Sequence, residues 1–332
     1  MKKAILSLFM LSALFFTLCN DDSKETTYEE IVAVANRGAG SVTLINSSTD
    51  EVASTISIAG SEPMYVVYSS SKDKMYVGDR AGKKVHVINP KTKLVETSIS
   101  VGSGVFHMWA SSTQLWVNND IDNTISVINL DTNTVIQTIS VNLKPHDVFV
   151  SSDGTKAYVS VFNTSATMPD KIYMYSTTTF AKTAEVNVGK DPHLFHLAGS
   201  NKLYVPCQSG QVYTLNGADL NVISNNAFEG AHGIFPSADQ SNIFVTNISG
   251  AKLYSINAAN TTLNGTAVNA LTSTPHNLVV NKAGTKMYVT HSGASADKVT
   301  TYTVNGATIT PNKTLTAGTN PFGIAYYKRA VN

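Results

Sequence analysis

The sequence predicts an all-β chain, a seven-bladed β-propeller of four-stranded blades, and three observations predict it. First, one short apolar step recurs seven times, as Pro63-Met64-Tyr65, Val105-Phe106-His107, Pro145-His146-Asp147, Pro192-His193-Leu194, Ala231-His232-Gly233, Pro275-His276-Asn277 and Pro321-Phe322-Gly323. Second, an aromatic-Val pair follows His146, His232 and His276 by twelve residues, as Tyr158-Val159, Phe244-Val245 and Tyr288-Val289. Third, the stretches between these marks alternate with period two, are rich in β-branched and aromatic residues, and are cut by short polar turns. Four short strands every ~40–45 residues are the mark of propeller blades.

The N-terminus reads differently. Lys2 and Lys3 precede fifteen apolar-rich residues, Ala4 to Leu18, the length of a signal peptide rather than of a membrane span. They run into Cys19 and the acidic stretch Asn20-Asp21-Asp22. This resembles a bacterial lipoprotein signal of Bacteroidetes type, in which Cys19 becomes the lipidated first residue and the acidic residues direct export to the outer face of the outer membrane. The resemblance divides the chain into a signal peptide (1–18), a lipid-anchored tether (19–30) and one propeller domain (31–332). The expected location is the cell surface, held to the membrane by the lipid alone, with the periplasmic side as the other placement. With Cys19 lipidated, Cys207 has no partner for a disulfide.

A net charge of +1 with 14% charged residues argues against a nucleic-acid partner, since no excess of cations is present to meet phosphates. Hydrophobic residues make up 42% of the chain and glycine occurs 21 times, as expected of a folded, turn-rich domain.

In order, each repeat reads as the apolar step, a polar turn such as Ser151-Ser152-Asp153-Gly154, and a second strand such as Met75-Tyr76-Val77 or Ile243-Phe244-Val245. An alternating third strand follows, such as Val85-His86-Val87-Ile88-Asn89, then a more polar fourth, such as Glu96-Thr97-Ser98-Ile99. The segment Glu30 to Gly60 supplies strands two to four of a blade and lacks its first, whereas Pro321 to Tyr327 is a first strand without followers. Pairing the two chain ends would close the ring and remove a free sheet edge.

Position one of the repeat then rings one mouth of the central channel, with Met64, Phe106 or His107, His146, His193, His232, His276 and Phe322. Residues ending the second strands, among them Asp79, Asn119, Cys207, Asn247 and His291, are expected just outside it. Imidazoles with a thiol nearby form a ligand set suited to copper, zinc or iron, or to a metal-containing ligand. The candidate metal set is His146, His193, His232, His276, His291 and Cys207, and the wider ligand-binding set adds His107, Met64 and Phe322. Because repeats copy residues, the same histidines also fit a structural ring bonded to backbone carbonyls or water, or a polar mouth for an organic ligand. His86 and His196 are out of register and read as surface or inter-blade residues. The long loop from Val161 to Asp170 lies on the mouth face. No phosphate loop, serine elbow or metalloprotease helix is present, so no catalytic residue is assigned.

Phe244-Val245-Thr246-Asn247 and Tyr288-Val289-Thr290-His291 resemble the motif that names the YVTN family (YncE-like) of seven-bladed propellers. The resemblance covers roughly residues 30–328. Together with the lipoprotein signal, it implies a surface lipoprotein that binds a scarce nutrient, a metal ion or a ligand of the corrinoid, haem or siderophore class. Such proteins pass their ligand to a TonB-dependent outer-membrane transporter. Similar repeats also occur in lactonases, in the cofactor-bearing domains of nitrite and nitrous-oxide reductases, and in structural or adhesive surface-layer proteins. An enzyme and an adhesin therefore remain the alternative expectations.

Overall fold

A computed structural model describes residues 26–331; the signal-peptide segment and Cys19 lie outside the described residues. Seven antiparallel sheets of four strands each follow one another around a ring. The first blade is built from both chain ends: Pro321–Ala330 is its inner strand, followed outward by Tyr28–Asn36, Ser41–Asn46 and Glu51–Ser57. Tyr28 pairs with Ala330 and Asn36 with Pro321, which is the closure expected from the two incomplete sequence segments. The other six blades are continuous in sequence, with inner strands Pro63–Ser69, Val105–Ala110, Lys144–Val150, Phe195–Leu197, Ala231–Pro236 and Pro275–Val280.

Burial explains the strand sequences. Second strands such as Lys74–Asp79 lie between adjacent blades, covered on both faces, so they are almost wholly buried and read as continuous apolar runs. Outer strands such as Thr134–Ser140 alternate exposed and covered positions, which is the period-two signal of a half-solvated strand. Each interface between neighbouring blades is its own apolar cluster. Trp116, Val127, Val148, Val159 and Tyr173, for example, pack where the third blade meets the fourth.

The recurrent Ile-Asn that ends third strands has a local cause. Asn46 Oδ1 accepts from the amides of Ser48 (2.8 Å) and Thr49 (3.2 Å), and Asn89 and Asn129 do the same for the turns that follow them. These side chains mimic a backbone turn.

The Phe244-Val245-Thr246-Asn247 motif can likewise be taken apart by contact. Thr246 Oγ1 accepts the Gly233 amide (2.8 Å) and donates to the carbonyl of His276 in the next blade (2.8 Å). Thr290 repeats the arrangement, accepting the Asn277 amide at 3.1 Å and donating to Phe322 O at 3.0 Å. Asn247 Oδ1 accepts the Gly250 amide at 2.6 Å and fixes the following turn. The aromatic position reaches outward: Tyr158 Oη donates to Gly217 O in the next blade at 2.6 Å. The repeat therefore stitches the sixth blade to the seventh and the seventh to the first at the inner end, and the fourth to the fifth at the outer end.

The amides that these hydroxyls satisfy belong to a bulge. In six blades the inner strand loses register with the second between the first residue of the step and the fourth, as in Pro145/Val148, Ala231/Ile234 and Pro321/Ile324. Two consecutive residues per blade leave the ladder there, and these are the residues that fill the channel mouth.

Candidate functional site

The first bulge residues form an upper tier. Their rings meet in sequence: Phe106–His146 at 4.9 Å between centroids, His146–His193 at 4.7 Å, His193–His232 at 3.9 Å, His232–His276 at 4.7 Å, His276–Phe322 at 4.1 Å, and Phe322–Phe106 at 5.8 Å. Six rings thus close on themselves and cap the mouth. Each of the four histidines is at most 7% exposed. Met64, expected as the seventh member, is wholly buried in the cluster between the second and third blades, and Phe106 and Phe322 meet across its place.

The second bulge residues form a lower tier, of which the sequence pointed only to His107 as a ligand and to Tyr65 as an apolar wall. His107 Nδ1 lies 2.7 Å from Asp147 Oδ1, so it carries the proton and donates. Nε2 is then an acceptor, and it accepts from the Tyr65 hydroxyl. Tyr65 Oη accepts in turn from Asn277 Nδ2 at 2.9 Å. The chain Asn277–Tyr65–His107–Asp147 crosses the channel from the seventh blade to the fourth. Asp147 also accepts the amides of Val148 (2.8 Å) and Leu194 (3.0 Å), so both its oxygens are engaged. Burial would raise the Asp147 pKa, but its bonds with His107 and His193 outweigh it and hold the carboxyl well below the usual 3.8.

The upper tier is different, because several of its polar atoms lack partners. His146 Nδ1, His193 Nε2 and both ring nitrogens of His232 are buried without a hydrogen bond among the described residues. Each bare buried polar group costs about 1–3 kcal/mol, so all four need a partner from outside the chain, water or a bound ligand. Asp191, just before Pro192, turns a carboxyl oxygen toward them, 3.9 Å from His146 Nε2 and 4.0 Å from His193 Nε2.

Two groups place one ligand atom per residue with all three atoms within 4.8 Å: His107, His146 and His193, and Asp191, His193 and His232. Both nitrogens of His107 are already engaged by Asp147 and Tyr65, so the group with Asp191 is the better metal candidate. A tetrahedral zinc with bonds of about 2.0–2.1 Å holds its ligands ~3.3 Å apart, so binding an ion would draw these atoms closer together. Burial pushes His146, His232 and His276 well below the ordinary 6.5, with neighbouring imidazoles adding to it. Burial also takes His107 down to about 4 against the pull of Asp147. His107, His146, His232 and His276 are therefore neutral at pH 7, the form of imidazole that binds metal.

Two residues of the candidate metal set stand apart. His291 pairs with Pro275 and Cys207 with Pro192, not with the histidines that follow those prolines. Cross-strand partners share a sheet face while successive residues alternate, so both side chains point away from the mouth. His291 is held by Ser273 O and Thr300 Oγ1, each at 2.7 Å. Cys207 is wholly buried, and burial pushes its thiol pKa far up. Of the two histidines read as out of register, His86 bonds Ser98 and Asp79 within its own blade. His196 stacks on Tyr158 of the preceding blade. The long loop after Val161 is gathered by Lys190, whose Nζ donates to Asp170 at 2.5 Å and to three backbone carbonyls of the loop.

No family model matches this chain, and no curated protein matches it by sequence. Among solved structures it is similar to a putative 6-phosphogluconolactonase from Bacteroides uniformis, with 15% identity and a TM-score of 0.74 over 90% of this chain and 99% of that one. A putative 6-phosphogluconolactonase from Bacteroides fragilis matches at 17% identity and a TM-score of 0.72 over 90% and 98%. Hydrazine synthase of Kuenenia stuttgartiensis matches at 16% and 0.68 over 79% and 88%. These likenesses are of fold, and the fold is the seven-bladed β-propeller.

Proposed function

We propose that this chain is a binding protein whose histidine mouth holds a transition-metal ion or a metal-containing ligand. The observation that carries this reading is the set of four bare, buried imidazole nitrogens on His146, His193 and His232, gathered beside Asp191. A structural ring held by backbone carbonyls would have spent those nitrogens as His291 does with Ser273 O, so the structural alternative is a ring bonded to water. Neutral imidazole with one carboxylate suits zinc, copper or ferrous iron. In the same reading the protein is a lipid-anchored, surface-exposed YVTN-like lipoprotein that captures a scarce nutrient and delivers it to a TonB-dependent transporter. That part is supported by Lys2, Lys3 and Cys19 in the N-terminal sequence. Titrating Co²⁺ into the purified protein at pH 7.5 tests the site. Histidine ligation in a four-coordinate site gives intense visible absorption that saturates at one equivalent and is lost in His232→Ala. Absorption unchanged by that substitution would contradict it. A Cys19→Ala variant that remains in the membrane fraction would contradict the anchor.

A metal-dependent hydrolase is the second reading, favoured by the two putative lactonases among the structural neighbours and by triads that leave a metal position free for water. The Asp147–His107–Tyr65 chain has the bond order of a nucleophile relay, but burial, with Asp147 adding to it, pushes the Tyr65 phenol well above 10.0. Tyr65 therefore stays protonated and serves as a bridge. Lactone hydrolysis by zinc-loaded protein that stops on chelation would favour the enzyme, and equal rates with and without metal would remove it.

A further inference from the structure

Beneath the two tiers the central channel continues as a blind cavity of about 290 Å³. All seven blades line it, and its walls are apolar, with Val67, Trp109, Phe195, Phe235, Val279 and Ala325 among them. Its closed end is polar and consists of the lower tier together with His193. Its other end leads outward, because Tyr68, Phe235 and Tyr326 line both the cavity and the open bowl at the opposite mouth.

We propose that this cavity is a second binding site, for a small uncharged amphiphile with a compact apolar or aromatic body and a hydrogen-bond-donating head. The molecule would enter by the mouth opposite the histidines. One observation at the closed end defines the head. Asn277, which lines the cavity, donates through Nδ2 to Tyr65, whereas its Oδ1 receives no hydrogen bond among the described residues. That oxygen is available to an N–H or O–H, whereas the charged Asp147 already accepts from His107 and two amides.

The walls argue against an anionic ligand. No lysine or arginine lines the cavity, and an ion taken into an apolar enclosure without a countercharge loses its hydration uncompensated. The volume lies at the small end of the range for organic-ligand pockets, and aromatic walls favour a flat body. The site stands independently of metal at the mouth, so either reading can fail alone.

The test uses the purified chain with EDTA present, so that metal at the mouth plays no part. The probes are N-phenyl-1-naphthylamine, neutral with one N–H, and its sulfonated analogue 1-anilinonaphthalene-8-sulfonate. The neutral probe is expected to bind saturably at one equivalent, with rising fluorescence, and at least tenfold more tightly than the sulfonate. Ala325→Trp and Ala110→Trp each fill the cavity from a different wall. Each is expected to weaken the neutral probe at least tenfold while retaining cooperative thermal unfolding. If one variant fails to fold, the other still decides. Absence of saturable binding would mean a water-filled channel and overturn the proposal. Binding that is indifferent to both fillings, or equal for the two probes, would mean surface adsorption and overturn it as well.

Discussion

His107 of the third blade and Asp147 of the fourth are joined by an Nδ1–Oδ1 contact of 2.7 Å inside the channel. This contact fixes the direction of the whole lower tier. Asp147 forces the proton onto Nδ1, Nε2 becomes an acceptor, and the hydroxyl of Tyr65 and the amide of Asn277 are oriented in turn. Asp147→Asn would place an amide where His107 and two backbone amides need an acceptor. The expected cost is about 2–4 kcal/mol, because donors buried around the site lose a charged partner. Tyr65→Phe should cost less, about 1–3 kcal/mol, for stranding His107 Nε2. Chemical denaturation of both variants checks the order, and an Asp147→Asn protein as stable as the parent would contradict it.

The same burial predicts a pH dependence. In the unfolded chain the histidines titrate near 6.5, whereas folding lowers His107 to about 4 and takes His146, His232 and His276 down as well. Between those values the unfolded state binds more protons, so stability is present above about pH 6.5 and is lost as pH falls toward the folded values. Each histidine adds a slope of up to ~1.4 kcal/mol per pH unit. Unfolding midpoints of metal-free protein at pH 7.5, 5.5 and 4.5 should fall steeply, and His232→Gln should make the fall shallower by about one proton. A flat profile would contradict the buried neutral ring.

Gly233 marks a close approach between blades. A Cβ there would lie 2.1 Å from the carbonyl oxygen of His276, which is backbone of the next inner strand. Gly233→Ala must therefore push the sixth and seventh blades apart at the ring, at a cost of about 1–3 kcal/mol. It should also weaken metal binding through His232 and His276 without touching either imidazole. Melting temperature and metal affinity should fall together. Unchanged values for both would show that the approach tolerates a methyl group.

Cys207 supplies a prediction of silence. Its thiol is sealed at the end of a second strand, and burial pushes its pKa up, so no thiolate is available near neutral pH. A thiol reagent should label it only after denaturation. Rapid labelling of native protein would contradict its placement.

The blades were legible in sequence because each is a copy of one hydrophobic phrase, and the closing of the ring was legible because residues 30–60 and 321–327 are complementary fragments. The upper tier was legible for the same reason, since His146, His193, His232 and His276 share one register. Asp147, Asn277 and the polar role of Tyr65, which the sequence offered only as an apolar wall, were not, because the second bulge position carries a different residue in almost every blade and so gives no repeat signal. Placing His291 and Cys207 by proximity along the chain failed on register. Each is paired with the proline, and a shift of one residue turns a side chain to the other face of the sheet.

Metal content measures the central claim most directly. The full chain would be purified without chelator, exchanged into equimolar zinc, copper and ferrous iron, freed of unbound ions and analysed by mass spectrometry beside the His146→Ala/His193→Ala/His232→Ala variant. The account predicts close to one equivalent of a single metal in the parent and none in the variant, with both retaining strand-type circular dichroism and cooperative melting. A parent protein that holds no metal after loading, or a variant that holds as much, would contradict it.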